Sequence, residues 1–215
     1  MLPAELDDKD LLDIRSVLSY PRGVICIGLP HPLTRLSFIF SALILILCVT
    51  SQAGVYGNLE FGDSRDTVAR KLKSSDLVVQ TVDSTFLGRT GLNGVFKCKA
   101  KLAGLTYHLY FDWSENGGLK EVTLRSEQLH ENEYGSTIKE AWVKANKLFT
   151  QVYNRPVQNA NYPNKNDFNG HPVLITHMWH KGSNQSILIG PGLEKNQSFL
   201  TIRFVNKKIA PVRTP

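Results

Sequence analysis

The chain has 215 residues, of which 42% are hydrophobic and 20% charged, so it holds one ordinary domain or two small ones and is excluded from the disordered class. Its net charge of +6 favours anionic surfaces such as acidic lipid, wall polymer, nucleic acid or an acidic protein face. Dispersed basic residues also serve solubility alone.

Residues 36–51 read Leu-Ser-Phe-Ile-Phe-Ser-Ala-Leu-Ile-Leu-Ile-Leu-Cys-Val-Thr-Ser, an uncharged run with its apolar core at 36–49. A bilayer span needs roughly 20 residues, so the run is short for an anchor. Ser51 and Ala53 place small side chains where a signal peptidase needs them, which predicts cleavage near Ala53 and an extracytoplasmic, periplasmic or secreted, mature chain. An uncleaved membrane anchor or a buried helix is the competing reading. Asp7, Asp8, Asp10 and Asp13 make the preceding stretch acidic where a positive one is expected, as a start site placed too far upstream or an unusually long leader would. Bulky Leu47 before Cys48 argues against lipid attachment. Removing residues 1–53 takes four of the 25 basic and five of the 19 acidic residues, leaving a net +7. Only Cys98 then remains, so an intramolecular disulfide is impossible. Its alternation with Phe96, Ala100 and Leu102 makes it a small core side chain.

The mature part reads as two segments, 54–132 and 133–215. Asp63 or Ser64 caps a first helix whose buried stripe is Val68 and Leu72, with acidic residues in its first turn. Phe96 to Leu102 alternates with Lys97, Lys99 and Lys101. After a turn at Gly104, Leu105 to Trp113 alternates with Thr106, His108, Tyr110 and Asp112. The turn Glu115-Asn116-Gly117-Gly118 leads to a third strand, Leu119 to Ser126, carrying Val122 and Leu124 inward.

A polar stretch, Glu127 to Gly135, precedes the longest helix, which Ser136 and Thr137 open with Glu140 as a capping box. Ile138, Ala141, Trp142, Ala145, Leu148, Phe149 and Val152 form its apolar face, and Pro156 ends it near Asn154. Residues 157–171 are rich in Asn, Pro and Gly and read as a long loop. Strands follow at Val173 to His180, Ser186 to Ile189 and Phe199 to Val205, with turns at Lys181-Gly182-Ser183-Asn184 and Gly190-Pro191-Gly192. The expected fold is α+β, a tandem helix-plus-antiparallel-meander repeat with the helices packed on one face of the sheet.

The opening Leu59-Glu60-Phe61-Gly62-Asp63-Ser64-Arg65-Asp66-Thr67-Val68, with Leu72 behind it, resembles the start of small bacterial envelope domains. The duplicated layout is similar to the β-lactamase-inhibitor-protein-like superfamily, which includes an outer-membrane assembly lipoprotein. The resemblance implies a non-catalytic scaffold that binds another envelope or secreted protein across its sheet. The chain lacks the usable lipidation cysteine of the lipoprotein and the disulfide of the inhibitor, so neither tethering nor inhibition carries over.

The candidate partner surface is the exposed row Lys97, Lys99, Lys101 with His108 and Tyr110, which also suits a polyanion. Lysines on an edge strand equally guard against aggregation. His171, His177 and His180 invite a metal site or a small secreted hydrolase. Strand residues three apart point to opposite faces, however, so His177 and His180 cannot share one ion without a bulge. His108 and Asp112 lie about 13 Å apart along one strand and form no dyad. No nucleophile elbow, zinc-protease helix or phosphate loop is present, and no cofactor or specific nucleic-acid recognition is implied. Asn184-Gln185-Ser186 and Asn196-Gln197-Ser198 fit the glycosylation pattern, which matters only in a eukaryotic secretory route.

Overall fold

The computed structural model describes residues 55–81 and 91–212. The apolar leader and the expected cleavage site at Ala53 lie outside the described residues. No helix among the described residues is long and apolar enough to cross a membrane.

Helix α1, Arg65–Lys73, starts where the Ser64 hydroxyl accepts the Thr67 N–H at 3.3 Å. Asp66 stands in its first turn and Arg70, Lys71 and Lys73 in its last, the charge order the helix dipole favours. Asp63 fixes the entry by accepting the Glu60 N–H at 2.8 Å and pairing with Lys71 at 2.9 Å. Four strands follow: β1 Val78–Gln80, β2 Phe96–Cys98, β3 Tyr107–Trp113 and β4 Leu119–Ser126. After the short β5, Leu129–His130, a 3-10 turn at Glu131–Gly135 runs directly into α2, Thr137–Tyr153. Four more strands complete the fold: β6 Gln158–Asn159, β7 His177–Lys181, β8 Gln185–Glu194 and β9 Gln197–Val205.

The nine strands of the described residues belong to one antiparallel sheet ordered β1-β2-β3-β4-β9-β8-β7-β6, with β5 attached to β9. Its central seam pairs Val122 with Phe204 and Leu124 with Ile202. Buried residues of both helices, Val68 and Leu72 of α1 and Ala141, Ala145, Leu148 and Phe149 of α2, join the same core as Leu109, Val122, Leu124, Ile187, Ile189 and Ile202. The α+β architecture therefore has both described helices on one face, and among the described residues the other face carries no helix. Trp179, fully buried against Phe149, donates its indole N–H to the Asn154 carbonyl at 2.9 Å, tying β7 to the end of α2.

Several local expectations are corrected. The Thr137/Glu140 capping box does not form, because Thr137 is already the first residue of the helix and the chain enters α2 from a 3-10 turn through Ser136, which is not extended. Glu133 instead accepts the hydroxyls of Ser136 and Thr137, and Glu140 pairs with Lys144 one turn on. Gly190-Pro191-Gly192 is no turn but the interior of β8, paired with Thr201, Leu200 and Phe199. The glycines are required by crowding: a Cβ at Gly190 would stand 2.1 Å from the Leu174 carbonyl oxygen, and one at Gly192 would stand 2.2 Å from the Phe199 ring. The missing N–H of Pro191 faces the irregular 172–176 segment, whose Leu174 N–H bonds to the Pro191 carbonyl, and not the β9 ladder. Finally, β2 ends at Cys98. Between the pairs Lys97/His108 and Leu102/Leu105, residues 98–101 stand against only 106–107, so the ladder breaks before the Ala103-Gly104 turn, where both φ angles are positive.

Candidate functional site on the open sheet face

Strand alternation places Tyr110 and Asp112 of β3, Glu121, Thr123 and Arg125 of β4, and Phe199, Thr201 and Arg203 of β9 on the face opposite the helices. The register joins them across strands: Tyr110 lies beside Thr123, Thr123 beside Arg203, and Arg125 beside Thr201. Together with Pro172 and Val173 from the segment before β7, these residues line a concavity of 410 Å³ over the centre of the sheet.

Its charges are paired but not all spent. Arg203 donates Nε and Nη2 to the two oxygens of Glu121 at 2.7 and 2.8 Å, and Glu121 holds the guanidinium pKa above its ordinary value. Lys120 sits 3.0 Å from Asp112 and keeps that carboxyl below the usual range. Arg125 gives Nη2 to Glu194 at 2.9 Å and lies 3.8 Å over the Phe199 ring, while its buried Nε has no hydrogen-bond partner. The result is a rigid, mixed-sign floor with an aromatic centre. Such a surface can complement a partner in shape and charge pattern, and the hydroxyl of Thr123 is already given to Glu121, whose carboxylate Arg203 neutralises.

The predicted contact residues divide. Tyr110 lines the concavity, and His108 shares its face two residues earlier along β3. Lys97, opposite His108, is bound to Glu127 at 2.8 Å. Lys97 foremost, then His108 and Lys101, holds that carboxyl below its ordinary range. Lys99 and Lys101 are exposed beyond the end of the ladder. Glu121, Arg125, Phe199 and Arg203 were not singled out from the sequence, although the alternation Glu121, Thr123, Arg125 in a strand already read as half-wet carried the signal.

The histidines do not converge. His177 is buried on the helix side, 5.2 Å from the Trp142 ring and 5.8 Å from that of Trp179, and burial pushes its pKa down to about 4. His180 is on the opposite face, where Nε2 donates to the Ile209 carbonyl at 2.9 Å. His171 is exposed in the loop before β7. No three His, Cys, Asp or Glu side chains gather as metal ligands among the described residues. Cys98 accepts the Tyr56 hydroxyl at 3.2 Å, and burial pushes its thiol up to about 11.

In comparison with known proteins the chain matches no family model, no curated protein and no solved structure.

Proposed function

We propose that the chain is an exported, non-catalytic binding or adaptor protein that engages an envelope or secreted protein through the open face of its sheet. The observation that carries this reading is the 410 Å³ concavity over β3, β4 and β9, built from paired charges around an aromatic floor. Its side chains stand on strands of a sheet backed by a continuous core, so the surface is preorganised and loses little freedom on docking. Export is supported by the uncharged run at 36–49 followed by Ser51 and Ala53.

The reading includes an internal duplication. Its support is the order of elements: α1 with β1–β4, then α2 with β6–β9, meeting at the β4–β9 seam with β1 and β6 at the two outer ends. Counterparts lie about 80 residues apart, with β1 beginning at 78 and β6 at 158, and β4 at 119 and β9 at 197. A binding surface at the junction of two such halves is where neither half alone supplies the complete site.

The test is site-specific photo-crosslinking in the expressing cell, with the reactive side chain at Thr123 on the concavity or at Val143 on the exposed side of α2. A discrete adduct from Thr123 and not from Val143 is expected, and the identified partner, once purified, should bind Thr123→Arg at least tenfold more weakly. Equal adducts from both positions, or unchanged affinity of the variant, would remove this reading. The lysine row has a separate signature, steep loss of binding with salt. The ion pair between Lys97 and Glu127 gives it no support.

A further inference from the structure

The open face extends past the concavity. Thr123 pairs with Arg203, Arg203 with Leu188, Leu188 with Met178 and Met178 with Gln158, so one cross-strand row runs from the centre of the sheet to its β6 edge. Leu188 and Met178 are 4% and 1% exposed, yet they alternate with Ile187 and Trp179, which belong to the core beneath the helices. They are buried on the side that carries no helix among the described residues.

The chain after β9 returns across this region. The Ile209 N–H donates to the Ser186 hydroxyl at 2.9 Å, and the Ile209 carbonyl accepts from His180 Nε2 at 2.9 Å. Three residues on, the Val212 N–H donates to Gln158 Oε1 at 3.0 Å. Ser186 is itself fully buried. Side chains of three strands thus grip backbone groups of a passing segment, and no ladder forms. The segment's own side chains contribute little: Lys207, Lys208, Ala210 and Pro211 are exposed and Val212 is 72% exposed, while Ile209 alone is half-buried.

We propose that the outer half of the open face is a binding site for an extended, proline-containing peptide, and that residues 207–212 occupy it in cis. The site reads both backbone groups of one apolar residue and the N–H of the residue three positions later, with proline tolerated between them because its absent N–H is not needed there. A partner segment of the same chemistry displaces the tail and extends the contact begun in the concavity. That final step rests on the proposed open-face function; the site itself rests on the three hydrogen bonds above.

The test uses a fluorescent peptide of the chain's own residues 207–215, titrated into the full chain and into a chain ending at Asn206 whose fold is checked by circular dichroism. The peptide should bind the shortened chain at least tenfold more tightly than the full chain, and Gln158→Ala in the shortened chain should weaken it severalfold. A peptide with proline in place of the isoleucine, which lacks the N–H read by Ser186, should not bind. Equal binding to both chains, equal binding of the proline peptide, or no binding to a folded shortened chain would overturn the proposal. Where the shortened chain does not fold, hydrogen exchange on the full chain decides. The Ile209 and Val212 amides should exchange at least tenfold faster than that of Leu188, and equal protection would mean that the tail is an inseparable part of the fold. No partner protein enters either measurement, so its result is independent of the crosslinking experiment.

Discussion

Arg203 and Glu121 grip each other diagonally across the β4–β9 seam through two hydrogen bonds of 2.7 and 2.8 Å, and Thr123 adds its hydroxyl to the same carboxylate at 2.8 Å. The carboxylate side chain is 13% exposed and the guanidinium 37%, so water screens the pair only in part. Glu121→Gln should lower stability by about 1 kcal/mol, read as a shifted midpoint in urea, since partial exposure discounts the charge-assisted value. An unchanged midpoint at low salt would show the pair to be energetically silent.

Gly190→Ala should be among the most damaging single-methyl additions in the chain. Its Cβ would meet backbone, the Leu174 carbonyl carbon at 2.8 Å as well as the oxygen at 2.1 Å, and backbone cannot rotate aside. A loss of about 3 kcal/mol or more is expected by thermal or urea unfolding. Gly117→Ala provides the contrast. There the added Cβ meets nothing within 4 Å, although φ is +75°, so the cost is the smaller one of a strained turn.

His177 links stability to pH. Its folded pKa is depressed to about 4 by burial, below the ordinary value near 6.5, so the unfolded chain binds the extra proton between those values. Its contribution is fully present above about pH 6.5 and is lost as pH falls towards 4, amounting to about 3 kcal/mol at one pKa unit per about 1.4 kcal/mol. His177→Phe should flatten this part of the curve, measured by urea unfolding at neutral and mildly acidic pH. The same slope in the variant would assign the effect to other groups.

Cys98 should react slowly with a thiol reagent in the folded protein and at the rate of a free cysteine in denaturant. Its burial and raised pKa keep the thiolate scarce, and the Tyr56 hydroxyl occupies the sulfur. Fast labelling of native protein would contradict the packing described for β2.

What could be read from the residues depended on how local its cause was. The helix from Arg65, with its Ser64 cap, and the alternation of β3 and β4 are set by neighbours in the chain, and each was legible. Strands β1 and β6 have three and two residues and carry no periodicity. Gly190-Pro191-Gly192 has the composition of a turn, and only the close passage of Leu174 and Phe199 explains its place within a strand. The site followed the same rule: Glu121 and Arg203 are 82 positions apart and meet only when β9 docks on β4. No local pattern announces that meeting.

The position of β9 has a consequence for how the chain acquires its shape. The last strand of the sheet is inserted at its middle, between β4 and β8, where it closes both halves at once. During vectorial synthesis, until residues 197–205 are free, β4 and β8 each keep an unpaired edge, and the core beneath the helices lacks Leu200, Ile202 and Phe204. A nascent chain arrested before that point holds two unfinished ribbons. Completion therefore waits for that segment and is slow, because the decisive contacts are distant in sequence. Any process that must thread the chain in an open form has that interval in which to act.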